Sequence, residues 1–365
     1  MRIAQVSPLI ESVPPRLYGG TERIVSNLTE ELVRMGHDVT MFASGDSTTA
    51  ADLVGCSRVA LRLDADVKDQ FPYYMTMIDK VRRMADEFDI IHFHIDYFQF
   101  PLFRDIADKT VTTLHSRQDV SDLKTLYAAF PEMPLVSISN AQRRPVANAN
   151  FAGTVYHGLP TNLHAPNLKP SGDYVAFLGR VSPEKRLDRA IRIAHAAGIP
   201  IRIAAKVDKA DREYYEHEIK PMLSLPGVEF IGEINDRQKP EFLGNARAML
   251  FPIDWPEPFG IVMIESMACG TPVLAFRNGS VPEVIDDGMS GFIVDSEEEA
   301  VSVLQRTVNL DRRQVRRRFE ERFSATRMAE DYVGIYEKLL TQEHRVPQRV
   351  STARPRVGRD QQRMN

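Results

Sequence analysis

The chain has 365 residues, of which 43% are hydrophobic and 26% charged, so it is long enough for about two domains and too apolar to be disordered. Its net charge of −4 excludes a protein built to coat nucleic acid, and its two cysteines, Cys56 and Cys269, exclude a disulfide framework. No apolar run reaches about 18 residues and no signal-peptide core precedes the first strand, so we expect a cytoplasmic protein without a membrane span.

The first 155 residues alternate short apolar runs with amphipathic segments, a pattern typical of β-α-β units in a parallel sheet. The clearest helix is predicted at 21–35, where Ile24, Leu28 and Leu32 recur at helical spacing and Gly36 supplies a stop. This half is therefore predicted to be a doubly wound α/β domain. The predicted strands are 2–6, 38–43, 89–94, 110–114, 134–139 and 153–157.

A polar stretch with prolines at 158–172 interrupts this alternation and has the composition of a linker. The alternation then resumes, which predicts a second α/β domain. We place the two Rossmann-like domains at 1–165 and 166–323, and the cleft between them is the expected ligand site. The second set of predicted strands is 173–179, 200–205, 227–231, 247–252, 272–275 and 291–294.

The C-terminal region is helical in pattern from Ser296 and ends with a predicted helix at 325–340. Residues 341–365 contain six arginines, two acidic residues and almost no large apolar side chains, so we predict a disordered basic tail. Such a tail is compatible with weak peripheral contact with anionic lipid, and equally with a solvated segment that has no function.

Two cations follow the first predicted strand of the second domain, in the segment GRVSPEKR at 179–186. Arg180 and Lys185 are five residues apart, at the edge of the sheet where Rossmann-like folds receive phosphates. They are predicted to clamp a diphosphate. The alternative is that both are ordinary solvated loop cations.

A glycine-started helix lies between two glutamates in the segment EPFGIVMIE at 257–265. Gly260 leaves unpaired N–H groups at the helix N-terminus, which can receive a phosphate. Glu265 lies about 7.5 Å further along the helix axis, and Glu257 lies in the loop before it. Carboxylates on either side of an anion site can accept hydrogen bonds from the hydroxyls of a sugar and of a ribose. The alternative is a pair of surface charges.

From residue 1 to about 340, these motifs resemble those of the retaining glycosyltransferases of family 4, which have the two-domain GT-B architecture. GRVSPEKR is similar to their donor-diphosphate motif, and EPFGIVMIE, with seven residues between its glutamates, to their paired-glutamate motif. The loop YGGTER at 18–23 is similar to their N-terminal glycine loop, and the segment 268–291 completes the second-domain pattern. The resemblance implies two Rossmann-like domains facing across a cleft, with a last helix at about 324–340 that crosses back to the first domain.

The resemblance also implies roles for individual residues. His115, directly after the strand at 110–114, resembles the first-domain histidine that contacts the transferred sugar. The alternative is a helix-capping or structural histidine. The predicted catalytic residues are His115, Arg180, Lys185 and Glu257. The predicted donor-binding residues are Gly19, Gly20, Arg180, Lys185, Glu257, Phe259, Gly260, Ile261 and Glu265.

Other patterns compete with this interpretation. His92, His94 and Asp96 lie on one face of a predicted strand, as in some metallohydrolases, although Tyr97 stands where such enzymes carry their next histidine. Asp64 and Asp66 resemble the metal-binding acids of the other glycosyltransferase fold, but a solvated acidic loop explains them better. The chain has no G-x-G-x-x-G motif, which disfavours nicotinamide chemistry.

The sequence therefore predicts a retaining glycosyltransferase that moves a sugar from a nucleoside diphosphate to an acceptor hydroxyl. We predict no metal ion, no cofactor besides the sugar nucleotide, and no nucleic-acid partner. A sugar-nucleotide epimerase and a non-catalytic sugar-nucleotide binding protein on the same fold are the alternatives.

Overall fold

The computed structural model describes residues 1–16 and 19–343, and its first domain contains a seven-stranded sheet in which all neighbouring strands are parallel. The strand order is β3-β2-β1-β4-β5-β6-β7, so the order reverses between β1 and β4. Ligands of open α/β sheets bind at the carboxyl ends of strands beside such a reversal. The strands are β1 (Arg2–Val6), β2 (Asp38–Ser44), β3 (Asp52–Ser57), β4 (Ile90–Phe93), β5 (Thr110–Thr113), β6 (Leu135–Ser137) and β7 (Phe151–Thr154).

The second domain contains a six-stranded parallel sheet of order β10-β9-β8-β11-β12-β13, which reverses between β8 and β11. Two parallel sheets with helices between their strands confirm the predicted pair of Rossmann-like domains. The strands are β8 (Val175–Arg180), β9 (Ile201–Lys206), β10 (Val228–Gly232), β11 (Met249–Phe251), β12 (Val273–Phe276) and β13 (Gly291–Val294).

Helices connect the strands of both sheets, and within the described residues none is long and apolar enough to cross a membrane. A π-helical turn at Tyr215–Ile219 joins α7 and α8. The helices are α1 (Gly20–Arg34), α2 (Phe71–Arg83), α3 (Phe100–Phe103), α4 (Asp122–Ala129), α5 (Asn140–Arg143), α6 (Leu187–Ala196), α7 (Arg212–Tyr214), α8 (Lys220–Met222), α9 (Lys239–Gly244), α10 (Ile261–Ala268), α11 (Val281–Val284), α12 (Glu297–Leu304), α13 (Arg312–Arg322) and α14 (Ala325–Glu343). Short 3₁₀ turns lie at Leu61–Leu63, Ala85–Glu87, Arg104–Lys109, Arg144–Val146, Pro183–Lys185, Lys209–Asp211 and Gln305–Asn309.

Two strands differ from the prediction. The edge strand β3 was not predicted, because none of its residues is buried and one is Gly55, so the segment lacks the apolar alternation of a buried strand. The strand predicted at 153–157 lies instead at β7, which begins at Phe151. Every other predicted strand lies within two residues of an observed one.

Helix α14 returns from the second domain to the first, as the resemblance implied. Its buried residues Met328, Tyr332 and Tyr336 belong to the same apolar cluster as Ile24 and Leu28 of α1. The helix continues to Glu343, three residues beyond its predicted end, so residues 341–343 are helical and not part of a tail. The rest of the predicted basic tail, 344–365, lies outside the described residues.

The segment between the sheets, residues 155–174, is loop and touches the start of the crossing helix. Leu159 forms a single β-bridge with Ser324, and its amide donates to the carbonyl of Phe323 at 2.9 Å. The two chain crossings between the domains therefore lie side by side. The boundary at 165 falls within this loop and stays a prediction.

Candidate active site

A cavity of about 330 Å³ lies between the two domains and is lined by residues of both. It opens at the carboxyl ends of the strands next to the two order reversals. All ten predicted site residues line it, and their roles stay predictions. They are Gly19, Gly20, His115, Arg180, Lys185, Glu257, Phe259, Gly260, Ile261 and Glu265.

The start of α10 forms the floor on the second-domain side. Gly260 has a φ of +78°, and a Cβ there would lie 2.8 Å from the Met263 side chain, so only glycine fits this turn without strain. The preceding loop is held by Ser280, whose amide donates to the Glu257 carbonyl at 3.0 Å and whose hydroxyl donates to the Phe259 carbonyl at 2.8 Å. The helix N-terminus therefore faces the cavity in a fixed position.

Lys185 binds the first glutamate of the pair. Its ammonium group donates to Oε2 of Glu257, and the same oxygen accepts a hydrogen bond from Nε1 of Trp255 at 2.9 Å. The ammonium also lies 5.0 Å from the centre of the Trp255 ring. Glu257 is only 8% exposed, so this carboxylate is fixed by two donors before any ligand enters.

Lys239 binds the second glutamate. Its ammonium group lies 2.6 Å from Oε1 of Glu265 and 3.0 Å from Oδ1 of Asp236. Burial by itself raises the pKa of Glu265, but the charge of Lys239 and then of His164 and Arg23 brings that pKa below its usual value. Glu265 is therefore ionised although it is 2% exposed.

The same corner contains the group of described side chains best placed to hold a metal ion. His164, Asp236 and Glu265 offer ligand atoms within 4.8 Å of one another. The ammonium group of Lys239 already contacts both carboxylates, so a protein cation balances this corner.

Arg180 is also bound to carboxylates of its own domain. Its guanidinium lies 2.5 Å from Glu184 and 3.4 Å from Asp211. Both predicted diphosphate cations, Arg180 and Lys185, are thus oriented by acidic neighbours while they line the cavity. A bound diphosphate would share these cations with the carboxylates that hold them.

The first-domain side is built from histidines. His115 stacks on His157 with ring centres 5.3 Å apart, and its Nε2 lies 2.9 Å from Nδ1 of His94. Burial lowers the pKa of His115 to about 3, so its ring is neutral at physiological pH. Gly20 faces Ile261 across the cleft, and Arg23 forms an ion pair with Asp236 of the other domain.

The rival metal site is not formed by His92, His94 and Asp96. His92 places Nδ1 2.7 Å from the Tyr336 hydroxyl and Nε2 2.7 Å from the Thr113 hydroxyl. Nε2 of His94 lies 2.8 Å from the amide oxygen of Gln5 on β1, and its Nδ1 faces His115. Because hydrogen bonds use all four ring nitrogens, these histidines form a network and not a ligand set.

The acid pair Asp64 and Asp66 does not line the cavity. Asp64 forms an ion pair with Arg58 at 3.1 Å and accepts from the Asp66 amide at 3.2 Å. The loop interpretation therefore describes them better than a metal site does.

Several residues of the site were not predicted. Trp255, Lys239, Arg117 and Arg23 line the cavity. Trp255 lies two residues before Glu257 in a loop that also contains Pro256 and Pro258, so its place beside the paired-glutamate segment was the available signal. Lys239 is the first residue of α9, a short helix of ordinary composition, and only the fold brings it to Glu265.

Two family profiles match the chain in succession. The profile described as Glycosyltransferase Family 4 matches residues 18–175, and the profile described as Glycosyl transferases group 1 matches residues 161–323. O-antigen chain mannosyltransferase C of Escherichia coli is 25% identical, with 89% of this chain and 96% of that protein aligned. Phosphatidyl-myo-inositol mannosyltransferase of Propionibacterium freudenreichii is 23% identical, with 80% of this chain and 81% of that protein aligned.

Solved structures share the fold. AviGT4, a glycosyltransferase involved in avilamycin A biosynthesis, superposes with a TM-score of 0.70 at 23% identity, covering 93% of this chain and 98% of that one. Alr3699/HepE of Anabaena, in complex with UDP and glucose, superposes with a TM-score of 0.71 at 16% identity, covering 93% and 100%.

Proposed function

Because this chain belongs to the glycosyltransferases of family 4, which have the GT-B fold, we propose that it transfers a hexose from a nucleoside diphosphate to an acceptor hydroxyl. We propose further that transfer retains the anomeric configuration and needs no metal ion. One observation carries the proposal: the ten residues predicted from separate motifs surround a single cavity between the domains.

The departing diphosphate gains negative charge as the glycosidic bond breaks. Arg180, Lys185 and the N-terminus of α10 at Gly260 line the cavity and are already oriented, so they can stabilise this charge without reorganising. One well-placed donor of this kind contributes about 3 kcal/mol to the transition state. These three groups take the place that a metal ion has in other transferases.

The two glutamates have different tasks in this proposal. Glu265, kept ionised by Lys239, accepts hydrogen bonds from the ribose hydroxyls. Glu257, with the backbone of Phe259 and Gly260, orients the sugar. We propose front-face attack for retention, because no residue of the sequence motifs stands out as a covalent nucleophile.

The relatives favour a hexose nucleotide as donor. Two of them are named as mannosyltransferases, and a protein of the same fold was crystallised with UDP and glucose. GDP-hexoses and UDP-hexoses are therefore the first donors to test. Domain closure across the Arg23–Asp236 contact would exclude water, which competes with the acceptor hydroxyl.

A panel of sugar nucleotides tests the proposal. A true donor at 100 times its Kd stabilises the fold by about 2.7 kcal/mol, which appears as a raised unfolding temperature. That donor should then release nucleoside diphosphate slowly in water and faster with acceptor, and the product should keep the donor's anomeric configuration. The Glu265→Ala variant lacks the proposed ribose acceptor, so the same donor should raise its unfolding temperature much less.

Other outcomes separate the alternatives. Binding without hydrolysis or transfer would indicate a binding protein, and a sugar nucleotide with changed configuration would indicate an epimerase. An inverted product would overturn retention alone. If no sugar nucleotide stabilises the chain, the proposed donor site is wrong.

A further inference from the structure

A hydrogen-bonded chain of buried groups connects the crossing helix with the cavity. It runs from Tyr336 on α14 through Gln5 on β1 and His94 after β4 to His115 at the cavity wall. Gln5 and Tyr336 have no exposed surface, and His94 is 3% exposed. Tyr336, Gln5 and His94 do not belong to the motifs that identify the donor site.

The direction of each hydrogen bond follows from the amide of Gln5. Its oxygen lies 2.8 Å from Nε2 of His94, so that nitrogen must carry the proton. A neutral imidazole has one donor and one acceptor, which makes Nδ1 of His94 the acceptor. Nε2 of His115, 2.9 Å away, must therefore donate, and Nδ1 of His115 carries no proton.

The other end of the chain is consistent with this direction. The Gln5 amide nitrogen points at the Tyr336 hydroxyl oxygen, 3.3 Å away, and that hydroxyl donates to Nδ1 of His92 at 2.7 Å. Nε2 of His92 then donates to the hydroxyl of Thr113 at 2.7 Å. Turning the Gln5 amide around would reverse every proton in the chain and would make Nδ1 of His115 a donor. The orientation of one glutamine thus decides what His115 offers to the cavity.

The free edge of His115 faces the ligand space. The ring lines the cavity, one of its faces stacks on His157, and Nε2 is used by His94. Within residues 1–16 and 19–343, no group forms a hydrogen bond with Nδ1 of His115, and this atom is not fully buried. Nδ1 is therefore an accessible acceptor at the wall opposite Glu257.

We propose that Gln5 and His94 are positioning residues that hold His115 as the Nε2–H tautomer, so that its Nδ1 accepts a hydrogen bond from a hydroxyl of the bound sugar. The role of the sugar rests on the proposed function, whereas the tautomer does not. The network fixes His115 as a hydrogen-bond acceptor toward the cavity before the donor binds, so no proton has to move when the sugar binds.

Nitrogen NMR of the ligand-free protein tests the tautomer directly. In protein labelled with ¹⁵N-histidine, the couplings between ring nitrogens and ring protons identify which nitrogen of each histidine is protonated, and the His115→Asn variant assigns the signals. We expect His115 and His94 to be Nε2–H tautomers. Protonation of His115 on Nδ1, or on both nitrogens, would overturn the proposal whatever reaction the protein catalyses.

Substitutions at Gln5 test the positioning. Gln5→Met keeps the side-chain length but removes the acceptor for His94, so the His115 signals should show a mixture of tautomers. With the donor identified, kcat should fall about tenfold, the effect of one misdirected hydrogen bond, while the affinity for the bare nucleoside diphosphate stays within about twofold. An unchanged tautomer together with an unchanged kcat would contradict the proposal.

Two further comparisons keep the test valid if packing changes. Gln99→Met is the matched control, since Gln99 is a fully buried glutamine of the same domain that donates to the Thr112 hydroxyl and the Asp96 carbonyl and, within the described residues, forms no hydrogen bond with a histidine; it should leave the His115 tautomer intact. His94→Asn can still place an acceptor near His115, whereas His94→Leu cannot. We expect His94→Asn to retain more kcat than His94→Leu, and equal loss in both would argue against a positioning role.

Discussion

The two walls of the cleft hold their polar groups in opposite ways. On the second-domain wall, charged groups form ion pairs, among them Lys185 with Glu257 and Lys239 with Glu265. On the first-domain wall, histidines bond to one another and burial keeps them uncharged, so the pKa of His115 falls to about 3. The difference fits the two parts of a sugar nucleotide, because the diphosphate is anionic and the sugar is neutral. We call the pairs Lys185–Glu257 and Lys239–Glu265 the ionic wall and the cluster of His92, His94, His115 and His157 the neutral wall; Arg23 and Arg117 of the first domain also line the cavity.

The largest effect is expected from removing a cation of the ionic wall. In Lys185→Ala, kcat should fall by about two to three orders of magnitude, because we propose that the ammonium group stabilises the charge that grows on the leaving group. Steady-state kinetics with the identified donor measures this. Lys220→Ala, an exposed lysine paired with Glu216, is the control and should be neutral. A Lys185→Ala enzyme with wild-type kcat and only a raised KM would show that this lysine anchors the ground state.

The two glutamates of the ionic wall should separate binding from turnover. Glu265→Ala should weaken binding of the bare nucleoside diphosphate by about tenfold to a hundredfold, since it removes the carboxylate that we propose accepts hydrogen bonds from the ribose. It should also lower the free energy of unfolding by about 3 kcal/mol, because Lys239 loses a buried partner. Glu257→Ala should spare nucleotide binding and depress kcat. Calorimetry with the nucleotide checks this division, and equal losses of affinity in both variants would disprove it.

The neutral wall should make the fold sensitive to mild acid. Burial lowers the pKa of His92, His94, His115 and His157 below 6.5, so the unfolded chain takes up protons that the folded chain does not. Stability from these groups is complete above about pH 6.5 and falls as the pH drops below it. Each histidine should lower the free energy of unfolding by about 1.4 kcal/mol as the pH falls from about 7.5 to 5.5.

Urea unfolding at the two pH values measures this loss. His94→Asn removes one titrating group and should reduce the loss by about 1.4 kcal/mol, that is by one histidine's share. The lowered pKa of Glu265 acts only below its ordinary value of 4.5, so it does not disturb this pH range. A pH dependence identical in the variant and the wild type would mean that His94 is not kept neutral by the fold.

The smallest effect is expected from chelation. Since the ionic wall supplies its own cations, transfer or donor hydrolysis should change by less than about twofold in excess chelator. Initial rates with and without chelator check this. Loss of activity that Mn²⁺ or Mg²⁺ restores would refute metal independence. It would also point to His164, Asp236 and Glu265, whose ligand atoms lie close enough together to bind one metal ion.

The sequence predicted the ionic wall much better than the neutral one. Gly260 and the prolines before it mark a turn and a helix start that local rules describe, and Arg180 with Lys185 follows a strand directly. The residues that contact these groups could not be predicted from local patterns. Lys239 is 26 residues from Glu265, and Gln5 is 89 residues from His94, so no local periodicity connects them.

The same reasoning applies to the fold. Most strands were predicted from short runs rich in apolar, β-branched residues, whereas β3, in which no residue is buried, carries no such pattern. His92 and His94 were recognised as notable, but a strand with two histidines on one face fits a metal site and a hydrogen-bond network equally well. Their neighbours on β1 and α14 decide between the two, and those neighbours come together only in the folded chain.

The return of α14 to the first domain has a consequence for how this chain folds during synthesis. The face of α1 that carries Ile24 and Leu28 packs with Met328 and Tyr332, which are translated about 300 residues later. At about 5 to 20 residues per second, synthesis of those 300 residues takes roughly 15 to 60 s, and during this time the apolar face of α1 lacks its partners on α14. The pair Gln5 and His92 likewise lacks its partner on α14 until that helix is synthesised. The first domain therefore emerges from the ribosome first but is completed last. A fragment that ends before α14 should therefore expose the apolar face of α1 and recruit chaperones.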